Sequence, residues 1–223
     1  MKVLHVSDSH TYHNLLKIPD DIDCIIHSGD CALHFDSARN SVEVMSFIEW
    51  YRTLNVPYKI YVAGNHCTSI ERRLITEETF SANSIIYLEN KAITINGINF
   101  YGTPYVPTFG QWAFMRARHK MGVIWAQVPD DTNVLITHGP PMGILDTAED
   151  YDHRILHVGC SAMMTRIRSL GCLTHCLFGH IHDNHNELNS GILIRDGITY
   201  SNASLVKDGD FGHLAHYGNL LEI

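Results

Sequence analysis

The sequence predicts an α/β fold in which β-sheets are covered by helices. Three observations carry this. Short runs rich in Val and Ile recur along the 223 residues, each of strand length rather than helix length. A segment with helical periodicity separates the second run from the third. Later runs come in pairs joined by Asn-Gly or Asp-Gly, the dipeptides that tight hairpin turns prefer.

The elements follow in order. Lys2–Val6 is the first strand and Asp23–His27 the second. In Ser37–Leu54 the apolar residues Val44, Phe47, Ile48, Tyr51 and Leu54 fall on one face of a helix. Tyr58–Ala63 is the third strand. Ser84–Leu88, Ala92–Ile95 and Ile98–Tyr101 cluster around the Asn96-Gly97 turn. Thr103–Val123 is irregular and aromatic, with Tyr105, Phe109, Trp112 and Phe114. Two readings of it stay open: an insertion beside a site, or a surface loop packed by its own aromatics. Asn133–Thr137 and His175–Phe178 are strands, and Ser161–Leu170 between them is a helix stopped by Gly171. Ile192–Arg195 and Ile198–Ser201 form a hairpin through Asp196-Gly197. With no repeat, low-complexity tract or Pro/Gly linker, residues 1–223 are expected to form one domain.

Composition narrows the function classes. At 45% hydrophobic and 18% charged, the chain can bury a core and is not intrinsically disordered. The net charge is −8 and Lys/Arg runs are absent, which disfavours nucleic acid as a partner. No stretch approaches ~18 apolar residues, so no membrane span is expected. The start lacks a signal-peptide core, and the six cysteines form no Cys-x-x-Cys. Reduced, buried thiols and a cytoplasmic location are the expectation. The count that asks for an explanation is 16 histidines, equal to Lys and Arg together. Histidine is the commonest imidazole metal ligand and acid/base.

The informative residues lie just past strand ends. They are Asp8-Ser9-His10, Gly29-Asp30, Gly64-Asn65-His66, His138-Gly139-Pro140-Pro141 and Gly179-His180-Ile181-His182. Strand carboxyl ends converge on one edge of an α/β sheet, so two Asp, one Asn and five His meet in one crevice. Asp-x-His and His-x-His put alternate side chains on the same side of an extended segment. Glycine beside a ligand permits close backbone approach. Mixed carboxylate and imidazole donors suit Mn, Fe or Zn. Seven side chains are too many for one tetrahedral zinc and suit two octahedral ions sharing a carboxylate.

The ordered set D-x-H, G-D, G-N-H, G-H and G-H-x-H across residues 8–182 resembles the calcineurin-like metallophosphoesterases. Within them, Asn133–Asp146, His157-Val-Gly-Cys160, His175–His182 and Asp196–Ser204 look like the metallophosphoesterase-domain-containing (239AB-like) proteins, which resemble class III cyclic nucleotide phosphodiesterases. The match fades after Ser204. The fold it implies is a sandwich of two mixed β-sheets flanked by helices. It implies two divalent ions, manganese foremost, with iron, zinc or cobalt as alternatives. Asp8, His10 and His182 would bind one ion, Asn65, His138 and His180 the other, and Asp30 both. His66 matches the family position that contacts phosphate or protonates the leaving group. Asn65 and His66 are thus the catalytic candidates, and His13 and His34 are candidate substrate contacts. Two positions depart from the family. Cys67 stands where an acid usually follows G-N-H, so the support of His66 must come from Asp36, Glu71 or a backbone carbonyl. Gly29–His34 also lacks the usual G-D-x-x-D-R.

The expected function is hydrolysis of a small-molecule phosphodiester, a cyclic nucleotide foremost, by in-line attack of a metal-bound hydroxide. A phosphomonoesterase, protein phosphatase or nuclease of the same superfamily is the alternative. An inactive binding scaffold predicts missing ligands, whereas all seven are present. Nothing in the sequence speaks to oligomeric state.

Overall fold

The computed structural model describes residues 1–150, 152–184, 188–209 and 213–223. Its strands and helices, in chain order, are β1 (Lys2–Val6), β2 (Cys24–His27), α1 (Ser37–Thr53), β3 (Tyr58–Tyr61), α2 (Thr68–Glu71), α3 (Glu77–Ser81), β4 (Ile86–Tyr87), β5 (Lys91–Ile95), β6 (Ile98–Thr103), β7 (Val106–Pro107), β8 (Met115–Arg116), α4 (Met121–Trp125), β9 (Val134–Thr137), β10 (Thr147–Glu149), β11 (Ile155–His157), α5 (Ser161–Ile167), β12 (His175–Phe178), β13 (Gly191–Arg195), β14 (Ile198–Asn202) and β15 (Asn219–Glu222). Among the described residues they build two large mixed sheets, ordered β15-β1-β2-β3-β4 and β13-β14-β12-β9-β6-β5, and two small two-stranded sheets, β7-β8 and β10-β11. In the first, β1 to β4 are parallel and β15 is antiparallel on β1. In the second, β14, β12, β9 and β6 are parallel, with β13 and β5 as antiparallel edges. The α/β class and the two-sheet sandwich expected from the sequence are what the chain adopts.

The central strands carry no polar alternation because both of their faces are buried. In β2, Ile25 faces α1 while Cys24 and Ile26 face the opposite sheet. In β9, Val134 and Ile136 face inward and Leu135 faces α4 and α5. The inter-sheet layer joins Val3, Ile26, Ile60 and Val62 to Phe100, Val134, Ile136 and Leu177. Burying each such aliphatic side chain contributes about 1.5–3 kcal/mol. The α1 helix is capped by the Asp36 carboxylate, which accepts from the Arg39 N–H. It covers the first sheet through Val44, Phe47, Ile48 and Tyr51.

Some elements differ from expectation. The Ser84–Leu88 run keeps only Ile86–Tyr87 as strand, and the second helix stops at Ile167. β15 was not expected. Its Asn-Leu-Leu-Glu has no turn signal and becomes a strand by pairing with β1 across almost the whole chain. The 103–123 segment breaks into β7, β8 and a short 3-10 turn leading into α4.

Two histidines are locked in the middle of this packing. His5 on β1 lies between Ser201 Oγ (2.8 Å) and Ser28 Oγ (2.9 Å), tying one sheet to the other. His27 accepts from the Gly29 N–H through Nδ1, so Nε2 carries the proton and donates to Ser9 Oγ at 3.0 Å. Burial above all pushes both down to about 3, against the pull of the Asp8 carboxylate. A folded-state value below the unfolded one means that the unfolded chain binds more protons. Stability is therefore complete above about pH 6.5 and is lost as pH falls toward 3. Well below pH 6.5 each histidine removes ~1.4 kcal/mol per pH unit, and between pH 6 and 5 the two together contribute a fall of about 2.4 kcal/mol in the unfolding free energy. Urea unfolding at the two pH values measures this. A fall below about 1 kcal/mol would mean that neither histidine stays neutral.

Candidate metal centre

The carboxyl ends of β1, β2 and β3 in one sheet and of β9 and β12 in the other open onto the same gap. Each end turns sharply and throws polar side chains into it. Asp8, His10, Asp30 and His180 all have left-handed backbone, with φ of 53°, 39°, 55° and 70°. Asp and His are among the side chains that tolerate this region best, though each instance still costs about 1–3 kcal/mol. The turns are stitched together. Ser7 N–H donates to Ala203 O, Asp8 N–H to Gly29 O and Gly179 N–H to His138 O, all at 2.8–2.9 Å. Glycine is required where ligand meets main chain. A Cβ on Gly64 would lie 2.3 Å from Asp30 Oδ1 and 2.7 Å from His138 Cε1. A Cβ on Gly179 would lie 2.2 Å from Asp8 Oδ2.

Among the described residues three overlapping groups of donor atoms result, each within 4.8 Å: Asp8, His10 and His182; His10, Asp30 and His66; Asp30, His138 and His180. Asp8 Oδ1 is 3.4 Å from His182 Nε2, and Asp8 Oδ2 accepts from the His180 N–H at 2.9 Å. Asp30 Oδ2 is 3.2 Å from His138 Nε2, and Asp30 Oδ1 accepts from the His66 N–H at 2.7 Å. Asn65 Oδ1 is 2.8 Å from His138 Nε2. All seven expected metal-binding residues, and His66, are therefore together. His13 and His34 are not among them. His13 is buried against Phe47 and Trp50, and His34 lies on the surface, paired with Glu43.

The electrostatics suit cations. Asp8, His10 and His138 are fully buried, and Asp30 nearly so. Burial favours the neutral acid, yet the His182 and His138 imidazoles hold both carboxyls well below their usual range. Burial likewise works against a charged His138, but Asp30, Asp8 and the Ser28 carbonyl raise it to about 9. Burial pushes His180 down to about 3 and His10 to about 4. The Nδ1–H groups of His10, His138 and His66 donate to the carbonyls of Ala32 (3.1 Å), Ser28 (3.0 Å) and Leu33 (2.9 Å). Each hydrogen bond fixes the ring and directs Nε2 at the cluster, as backbone carbonyls do behind metal-bound histidines. Buried carboxylates, an amide oxygen and oriented imidazoles form a donor set that fits two hard-to-borderline divalent ions.

Several contributors escaped the sequence reading. Cys67 points away from the cluster, toward Tyr61 Oη (3.1 Å), and accepts from the Gly64 N–H. Of the supports considered for His66, the main chain supplies the one found: Leu33 O. Asp36 caps α1, and Glu71 accepts from the Phe114 N–H. Asn40 on α1 donates to the carbonyls of His34 (2.8 Å) and His66 (2.7 Å) and accepts from Ser69. Its signal was visible as a polar residue one turn ahead of Val44 on the buried stripe. The 103–123 segment does lie beside the site. Trp112 and Phe35, in edge contact with each other, pack on the His66 ring at 4.5 and 5.0 Å between centroids, and Phe109 packs on His180 at 5.2 Å. A cleft of about 300 Å³ opens beside His180, walled by Pro107, Phe109, Pro140, Val158 and Ile181. Arg118 also lines it and donates to the carbonyls of Val158 and Gly159. Of the other histidines, His153 and His157 pair with Glu149 and Asp146, and His185 lies outside the described residues.

A Gly64→Ala substitution tests whether the close approach matters. It should drive Asp30 and His138 apart and lower bound metal per chain by at least one ion, with the circular dichroism spectrum retained. Full metal content in the variant would show that the gap can yield.

The comparisons with known proteins agree with this geometry. The family described as calcineurin-like phosphoesterase matches residues 1–184. A UPF0046 protein of Caenorhabditis elegans is 30% identical over 223 residues, covering 94% of this chain and 71% of the nematode protein. Metallophosphoesterase domain-containing protein 1 of Homo sapiens is also 30% identical, covering 90% of this chain and 64% of the human protein. The mouse protein of that name matches to the same extent. Among the described residues, no helix is long and apolar enough to cross a membrane. With the family match covering the strand ends that build the centre, the chain belongs to the calcineurin-like metallophosphoesterases.

Proposed function

We propose that the chain is a dinuclear metal-dependent phosphodiesterase acting on small molecules, with cyclic nucleotides the leading substrates. The observation that carries the two-ion reading is Asp30. It stands in one donor group with His10 and in another with His138 and His180, so one carboxylate can serve two ions. Asp8, His10 and His182 would hold the first, and Asn65, His138 and His180 the second. Manganese is the leading metal, with iron, zinc or cobalt as alternatives. When bound, the ions would lower the pKa of water and neutralise charge on the phosphoryl oxygens.

The chain's own residues do the rest. The Leu33 carbonyl keeps a proton on His66 Nδ1, so the ring can give a proton to a leaving oxygen only through Nε2, after protonation there. That nitrogen lies on the cluster side, 3.9 Å from Asp30 Oδ2. Phe35 and Trp112, packed on each other at 3.8 Å, together back the ring. The apolar cleft beside His180 supports a substrate whose phosphate carries a ring-bearing organic arm, since about 300 Å³ walled by Pro, Phe, Val and Ile would bury such an arm, as a nucleoside supplies. Arg118 is occupied by the cleft wall, and a net charge of −8 with no basic run argues against a strand of nucleic acid.

Assay with added Mn²⁺ against bis-p-nitrophenyl phosphate, p-nitrophenyl phosphate and cyclic nucleotides tests this. Turnover of the diesters above the monoester is expected. Preference for the monoester would overturn the diesterase reading, and no turnover with two ions bound would overturn the enzyme reading. His66→Ala should lower turnover of a cyclic nucleotide by ~10²–10⁴. Its effect on bis-p-nitrophenyl phosphate should be far smaller, because p-nitrophenolate leaves without a proton. Equal losses on the two substrates would remove the proton-donor role.

A further inference from the structure

We propose that Asp208 is a positioning residue for the metal centre, fixing His182 and so tying occupancy of one ion to the C-terminal segment. The inference rests on His182 being a ligand. His182 stands between two carboxylates: Nε2 is 3.4 Å from Asp8 Oδ1, and Nδ1 is 3.0 Å from Asp208 Oδ1. His10, His66 and His138 instead direct Nδ1 to main-chain carbonyls.

Asp208 lies beyond residues 1–184, the part of the chain that the family matches. The fold nevertheless delivers it to the site. Lys207 pairs with Asp183, the residue after His182, and the Asp208 N–H donates to Asp183 O at 2.9 Å. Asp183 is itself anchored by the N–H groups of Asn189 and Ser190, both at 2.7 Å, and by Ser190 Oγ. The main chain around Asp208 is therefore registered to the strand end that carries His182.

The Asp208 side chain is 61% exposed, so as an ion pair it adds little to folding. Its consequence falls on His182. A carboxylate 3.0 Å from Nδ1 favours a proton on that nitrogen, which keeps the lone pair on Nε2 and makes it a stronger donor than a carbonyl neighbour would. Removing such a partner typically weakens metal affinity by ~10–100-fold.

The test is calorimetric titration of Mn²⁺ into the full chain after chelation, for wild type, Asp208→Ala, Asp208→Asn and Asp208→Glu. Melting temperatures are taken without metal. Asp208→Ala should lose ~10–100-fold in affinity for one of two ions, with the other ion and the metal-free melting temperature unchanged. Asp208→Asn should fall between Ala and wild type, and Asp208→Glu should recover most of the loss. Wild-type affinity for both ions in Asp208→Ala would overturn the inference. So would equal weakening of both ions with a lowered melting temperature, which is what a merely structural residue gives. A wild type that binds no ion would overturn the metal assignment and this inference with it.

Discussion

Two buried carboxylates, Asp8 and Asp30, set the terms for the rest of this structure. A buried charge is costly unless it is matched. Here each carboxylate is met by an imidazole on one oxygen and by the main-chain N–H of another histidine of the cluster on the other. The donors come from both sheets: His180 and His182 follow β12 in one, and His66 follows β3 in the other. Matching the two charges therefore requires the strand ends of both sheets to meet. The inter-sheet aliphatic layer holds them face to face, while His5, between Ser28 and Ser201, joins them with polar contacts. Fold and site are thus one constraint seen at two ends of the same strands.

That constraint explains where the chain accepts local cost. Asp8, His10, Asp30 and His180 sit in left-handed backbone, and the loops carrying them make hydrogen bonds to one another rather than to solvent. An extended continuation of β1 would carry Asp8 past the gap. The reversal at the strand end aims it in. Glycines 64 and 179 complete the device by letting the neighbouring main chain come within reach of the carboxylates that the reversals present. The backbone energy is offset by the packing of the strands behind it, so the site can remain preorganised.

How much of this was legible depended on the range of the interaction. The parallel strands declared themselves as unbroken apolar runs because both faces are buried. The candidate ligands declared themselves because each lies within four residues of a strand end, and Asp30, Asn65, His138 and His180 each stand beside a glycine. Long-range pairings did not show. β15 is four ordinary residues until β1 lies beside it. Asp208 is one acid among many until the fold brings Lys207 against Asp183. Asn40 was half visible, as a polar side chain on a buried helical face, but its partners are carbonyls that only the tertiary structure places there. His13 shows the converse. Closeness in sequence to a ligand turn suggested a substrate contact, whereas the 3-10 turn after His10 folds it under α1 against Phe47 and Trp50.

The replacement of an acid by Cys67 gains its meaning from these contacts. A carboxylate behind His66 would hold its proton by charge. The Leu33 carbonyl holds it by dipole alone, and Cys67 is turned into the core with Tyr61 and Cys31. The loop that presents Leu33 is in turn fastened to α1, through Glu43 accepting from the Leu33 and His34 N–H groups and through Asn40 on the His34 carbonyl. Asn40 also binds the His66 carbonyl. Support for the ring has moved from one adjacent side chain to a helix seventeen residues long.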